Sequence, residues 1–172
     1  MNLAQELTPL RPREFFGRPW SGHGEWKPRR WLRWLPGPRR LRFRSFTTWL
    51  SDELWLVHDT TTWEDGRVER RDFMATLIAQ DRIRVTGPDM PGGSEIRLSA
   101  DGFAFSPYLV SAAVPFFPLP VLLRCHDACR LQASGDLVDT IDISLLGLPL
   151  GRQVMSLRPE AGSALGRRQS RV

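Results

Sequence analysis

The chain is poor in cysteine, has one lysine and one tyrosine, and lacks a long uninterrupted apolar run. Each scarcity removes a class of protein. Two cysteines in 172 residues cannot build a disulfide framework. On a strand spanning 121–131, Cys125 and Cys129 would share a face about 13 Å apart, beyond disulfide reach. No 18-residue apolar stretch is free of proline, so no segment reads as a membrane-crossing helix. The first twelve residues show no charged stretch leading into an apolar core and cleavage site, and neither end carries a lipidation motif. This predicts a cytoplasmic protein, free or peripheral to the cytosolic face of the inner membrane. Nucleophile elbow, P-loop and dinucleotide fingerprint are all missing. At 41% hydrophobic and 25% charged residues the chain is neither disordered nor collagen-like. A domain of this size buries about two thirds of its unfolded surface without disulfides or metal.

The net charge of +5 is unevenly spread. Residues 27–44 hold Lys27, Arg29, Arg30, Arg33, Arg39, Arg40, Arg42 and Arg44 and no acid, which is +8. The remaining 16 basic and 19 acidic residues leave −3 elsewhere. The protein is therefore mildly acidic with one basic segment, a pattern for local contact with something anionic rather than for a surface wrapped in nucleic acid.

Turn signals recur at Pro36-Gly37, Asp65-Gly66, Gly87-Pro88, Pro91-Gly92-Gly93, Asp101-Gly102, Ser134-Gly135-Asp136 and Gly147-Leu148-Pro149. The 6–12-residue segments between them suit an antiparallel meander better than βα units. Ten strands are predicted, over 20–26, 41–50, 54–63, 67–77, 82–86, 95–99, 103–110, 121–131, 137–144 and 153–158. Residues 6–16 are the one candidate for a short helix or 3₁₀ turn. So many strands hide their edges most economically in an all-β antiparallel barrel of about 8–10 strands. The predicted division is an N-terminal segment 1–14, a barrel 15–159 and a flexible C-terminal tail 160–172.

Asp65-Gly66 and Asp101-Gly102 read as type I′ hairpin signals. A two-residue loop at Asp65-Gly66 sets His58 opposite Phe73, Thr60 opposite Arg71 and Thr62 opposite Glu69; a longer turn would shift that pairing. One face then carries His58, Glu69, Arg71 and Phe73 with several leucines, the other Trp55, Val57, Asp59, Trp63 and Asp72. Both faces mix apolar and polar groups. A packed sandwich has one oily and one wet face, so this hairpin fits a barrel with a lined cavity.

These residues also resemble a known group. Phe15-Phe16-Gly17 with Gly22-His23-Gly24, Trp63-Glu64-Asp65-Gly66-Arg67 with Arg71-Asp72-Phe73, Asp89-Met90-Pro91-Gly92-Gly93, Gly102 through Tyr108, and Leu146 through Gly151 together resemble an uncharacterised bacterial group of lipocalin-like proteins. The resemblance covers about residues 15–158 and rests on the order of short motifs. It implies a calycin-type barrel with a ligand cavity and no established activity. Many relatives look lipid-anchored; with no signal and no lipidated cysteine read in this sequence, such anchoring is not expected here. By analogy with lipocalins, Trp20 or Trp26 would plug one barrel end and Arg158 would stack on it.

The basic segment interleaves Trp26, Trp31, Trp34 and Phe43 with its arginines. Such a mixture suits an anionic membrane surface, a protein partner, single-stranded nucleic acid or a merely solvated hairpin. Nucleic acid is the least supported, because no recognisable nucleic-acid motif accompanies it. Arg29, Arg30, Trp31, Arg33, Trp34, Arg39 and Arg40 are the candidate docking residues. Residues 109–123 are nearly all apolar but hold Pro115, Pro118 and Pro120; they read as a hydrophobic loop over the barrel mouth or a proline-kinked edge strand.

Candidates for chemistry are few. His58, Glu69 and Arg71 would form a polar cluster in the cavity, and Tyr108 ends a strand beside the apolar loop. The run Cys125-His126-Asp127-Ala128-Cys129 is no metal tract, since on a strand His126 points away from both cysteines. Asp139, Asp142 and Ser144 are read as exterior. No metal and no cofactor are expected. The expected function is binding of a hydrophobic or amphipathic small molecule, with Trp63, Arg71, Phe73, His58 and Tyr108 lining the site. Two alternatives remain: an isomerase or cyclase acting through His58, Glu69 or Tyr108, and an accessory subunit docking on a membrane complex through the Trp-rich basic hairpin.

Overall fold

In the computed structural model, which describes residues 11–34, 36–112 and 119–160, the alternating segments close into one antiparallel β-barrel. Its elements are α1 (Pro12–Phe16), β1 (Trp20–Pro28), β2 (Arg40–Trp49), β3 (Leu54–Trp63), β4 (Val68–Ala79), β5 (Arg82–Gly87), β6 (Met90–Ser99), β7 (Gly102–Phe105), β8 (Tyr108–Ala112), β9 (Val121–Leu131), β10 (Leu137–Leu145) and β11 (Leu148–Pro159), with one 3₁₀ turn at Arg30–Leu32. Consecutive strands pair with one another except β7 with β8, and β11 returns to β1 over nine residue pairs, Trp20–Pro159 through Pro28–Gly151. Closure removes the sheet edges. β7 and β8 are successive stretches along one side of β9: the register steps between Ala104–Ala128 and Tyr108–Cys125 around Pro107, which has no N–H to donate. Ten strand positions therefore make the ring.

An up-and-down barrel sends alternate connections to opposite ends. The loops after β1, β3, β5, β8 and β10 crowd one end, and those after β2, β4, β6 and β9 the other. The second end is closed by α1. Phe15 stacks on Trp20 with ring centroids 5.2 Å apart and meets Phe103 edge-on at 4.6 Å, while Phe16 lies 5.6 Å from Trp55. The Trp20 indole N–H donates to the Phe15 carbonyl at 3.0 Å. Trp20 is thus the plug, but the cation over it is Arg18, 5.2 Å from the ring. Arg158 bonds Asp136 at 3.4 Å instead; the expected Arg158 stack is corrected. Trp26 stands at the opposite end, where its ring lies where a side chain at Gly151 would sit.

Tight closure has a local signature in β1. An added Cβ at Gly22 would sit 2.0 Å from the Ser156 carbonyl oxygen, so only glycine permits the close approach of β1 and β11 there.

Three turn readings change. The β3–β4 connection is not a two-residue loop: the Trp63 N–H donates to the Arg67 carbonyl at 2.9 Å, leaving Glu64, Asp65 and Gly66 between them, with Gly66 at φ 86°. That is a three-residue hairpin with glycine at the left-handed position. Every pairing moves by one, so His58 opposes Asp72, Asp59 opposes Arg71 and Thr61 opposes Glu69. At the β6–β7 turn, Ser99 pairs with Gly102, so the loop is Ala100-Asp101 and neither residue has positive φ. Pro91-Gly92-Gly93 lies inside β6 beside a register irregularity, not in a turn. Of the apolar stretch, 109–112 and 121–123 form the paired arms of β8 and β9, and residues 113–118, with Pro115 and Pro118, lie outside the described residues. So do 1–10 and 161–172. Among the described residues no helix is long and apolar enough to cross a membrane.

Candidate functional site

The barrel encloses a cavity of about 640 Å³ above the aromatic floor, within the range of small-molecule sites. Its walls follow from strand alternation. On β3 the inward residues are Val57, Asp59, Thr61 and Trp63; on β4 they are Glu69, Arg71 and Phe73. Opposite them, β9 contributes Cys125, Asp127 and Cys129, and β10 contributes Asp139, Ile141 and Ile143.

The one-residue register change reorders the expected site. His58 points outward: its Nδ1 lies 2.8 Å from Asp72 and its Nε2 3.2 Å from the Thr48 hydroxyl, with the ring stacked on Phe46 at 4.6 Å. It neither lines the cavity nor meets Glu69 and Arg71, so its placement in the polar cluster is corrected. Trp63, Arg71, Phe73 and Tyr108 do line the cavity. Glu69 accepts from the Trp63 indole N–H at 2.9 Å and lies 3.9 Å from Arg71, which also pairs with Asp89 at 3.3 Å. The three residues considered for catalysis are therefore apart, His58 outside, Glu69 against Trp63, and Tyr108 in the lumen.

The interior holds three carboxyl groups that the strand reading missed. Asp127 and Asp139 come from adjacent strands, and Asp59 comes from β3. Asp139, read as exterior, is 6% exposed, because it shares the inward face of β10 with Leu137 and Ile141. That parity was visible in the sequence. Tyr108 donates its hydroxyl to Asp127 at 3.2 Å. Asp59 Oδ1 and Asp139 Oδ1 are buried and accept no hydrogen bond among the described residues.

Burial sets the protonation of this cluster. Loss of hydration raises Asp59 to about 7, helped by the charge of Asp139 and opposed by a Ser45 hydrogen bond, Arg71 and His58. Asp127 is pushed well above the usual carboxylate range by burial and then by Asp139 beside it, and burial raises Asp139 too. Burial also pushes the Cys125 thiol to about 11 and lifts Tyr108 and Cys129 well above their ordinary values. Burial thus shifts the acids, thiols and phenol of the lumen toward their neutral forms, on walls that are otherwise mostly apolar.

His126 faces away from both cysteines, and Cys125 and Cys129 are free thiols. A different donor set does converge: Asp127, Cys129 and Asp139 each offer one atom within 4.8 Å of the others. Three such groups could hold a metal only after losing the protons that burial favours.

At the open end, the loop after β1 lies across part of the mouth, where Trp31, Leu32, Pro36, Gly37, Pro38 and Arg39 meet the cavity. Glu64 fastens it by accepting the Arg39 and Arg40 backbone N–H groups, the latter at 3.2 Å, and those bonds hold the Glu64 carboxyl below its usual range. The Arg29 N–H donates to the Leu150 carbonyl at 2.8 Å.

No protein-family model and no curated protein matches the chain. Among solved structures it is similar to the crystal structure of Rv2717c from M. tuberculosis, with a TM-score of 0.52 and 12% identity over 83% of this chain and 91% of that one. At that identity the likeness is one of fold.

Proposed function

We propose that the barrel binds an amphipathic small molecule, its apolar part against Phe43, Phe73, Phe105 and Ile141 and its polar end at Asp59, Asp127, Asp139 and Tyr108. The observation that carries this reading is a roomy lumen whose acids from opposite walls act on one another while two of their carboxyl oxygens have no hydrogen-bond partner among the described residues. A folded protein normally satisfies such atoms. Protonated acids donate hydrogen bonds, and ionised ones attract cations; both favour a hydroxyl or amine end. A carboxylate end would face three acids, with Arg71 already held by Asp89 and Glu69.

Calorimetric titration with decan-1-ol, decylamine and decanoate tests this. Burial of a methylene contributes about 0.8 kcal/mol, so a ten-carbon chain supplies about 8 kcal/mol before association costs. The expected result is saturable one-to-one binding of the alcohol and the amine, at least tenfold weaker binding of decanoate, and loss of all three in Thr61→Trp, which fills the lumen. Binding unchanged in that variant, or no binding of any of the three, would overturn the reading.

A further inference from the structure

We infer that the open end of the barrel docks on an anionic lipid bilayer, so that the cavity mouth faces the membrane. This goes beyond the ligand reading and does not depend on it. The topology gathers at the mouth features that are far apart in sequence. Trp34 is 76% exposed, Leu119 74%, Leu148 61% and Leu146 95%. They stand in or beside three neighbouring connections on one rim, together with Trp31 and Leu122. Isolated exposed apolar residues are ordinary, but an arc of them on three neighbouring connections at one end of a barrel is a contact surface.

Leu146 adds an independent observation. It has φ 50°, followed by Gly147 at φ 84°, in the two-residue turn closed by Leu145–Leu148. Both positions of such a turn favour Asn or Gly, and leucine in the left-handed region is strained. The chain thus holds a strained, almost fully exposed leucine at a turn tip where asparagine would fold better. Strain of this kind persists where the side chain has work outside the fold.

Charge identifies the occupant. Arg29, Arg30 and Arg33 project from the same rim, and no carboxylate pairs with Arg30 or Arg33 among the described residues. Of the acids in the rim loops, Glu64 is held by the Arg39 and Arg40 amides, Asp89 by Arg71, and Asp65 accepts the Arg67 backbone N–H at 3.1 Å. The four turns at the closed end, 50–53, 80–81, 100–101 and 132–136, carry Asp52, Glu53, Asp81, Asp101 and Asp136 and no base. Arg13 and Arg18 at that end pack over Trp49 and Trp20, and of the acids there Asp52 pairs with Arg13 and Asp136 with Arg158, leaving Glu53, Asp81 and Asp101 without an ion pair among the described residues. The barrel is polarised along its axis, basic and apolar at the mouth and acidic in the turns below. Indoles at headgroup depth, leucines below them and arginines on phosphates match an anionic bilayer. A soluble anion would need no leucines.

Co-sedimentation with vesicles of phosphatidylcholine alone or with 30% phosphatidylglycerol, at low and at high salt, tests the inference. The expected result is binding to the anionic vesicles that falls at least tenfold in high salt, and at least tenfold at low salt in Arg30→Glu/Arg33→Glu. Trp34→Ala/Leu146→Asn should also lose at least tenfold while melting no lower than the parent, since asparagine relieves the turn. No binding to anionic vesicles at low salt, or undiminished binding by the Trp34 and Leu146 variant, overturns it. Failure here with alcohol binding intact leaves the ligand reading standing; the reverse outcome removes the ligand reading alone.

Discussion

Trp55→Ala is expected to destabilise the barrel by about 3–5 kcal/mol, the usual cost of emptying a large aromatic site, lowering the melting temperature by roughly 6–20 °C. Trp55 is fully buried, 4.7 Å from Trp49 and 5.6 Å from Phe16 between ring centroids, and so joins β3 to the helix that closes the floor. Alanine leaves a void that α1 cannot fill without releasing Phe15 from Trp20 and Phe103. Trp55→Phe separates packing from polarity. The Trp55 indole N–H has no acceptor among the described residues, so phenylalanine keeps most of the ring and removes a buried unpaired donor. Its cost should be a small fraction of the alanine cost. Equal melting temperatures for the alanine variant and the parent would mean that the floor does not carry the fold.

The second large effect is an inverted dependence of stability on pH. Asp59 titrates near 7 in the folded protein, against about 4 for an unfolded aspartate. Between those values the folded state holds a proton the unfolded state has released, so stability falls as pH rises from about 4 to about 7. A shift of this size corresponds to at most about 4 kcal/mol. Asp127 and Asp139 act in the same direction. Asp142, Glu64 and Glu160 are held low by Arg152, by backbone N–H groups and by Arg44, and act in the opposite sense from the surface. The buried groups dominate because desolvation is larger than surface pairing. Thermal melts should therefore peak near pH 4 and be lower at pH 8 by up to roughly 8–16 °C. Asp59→Asn should flatten that slope and raise stability at pH 8. A melt that rises steadily from pH 5 to pH 8, unchanged in Asp59→Asn, would contradict the burial of these carboxyl groups.

Much of the architecture could be read from period-two alternation and turn spacing, because a barrel wall states its inward face in every strand. The site was harder. Asp65-Gly66 permits a two- or a three-residue loop, and a shift of one residue exchanges His58 for Asp59 on the inner face. Nothing local to the hairpin selects between them. Asp139 was legible, since it alternates with Leu137 and Ile141, and so was Asp127 between Cys125 and Cys129. Their convergence with Asp59 was not, because it depends on ring closure that sets β3 across the lumen from β9 and β10. The meeting of the basic segment with Leu119, Leu146 and Leu148 is likewise a product of the up-and-down topology, which sends alternate loops to one rim.

Seven tryptophans give the most direct test of a ligand inside the barrel, because each indole N–H is a separate magnetic resonance signal and their places differ. Trp26 and Trp63 line the cavity, Trp55 lies in the floor and Trp34 stands on the rim. On titration with decan-1-ol, the Trp26 and Trp63 signals should move saturably at one equivalent, and the Trp34 signal should stay. Movement of Trp34 alone, or of none of them, would contradict binding within the lumen.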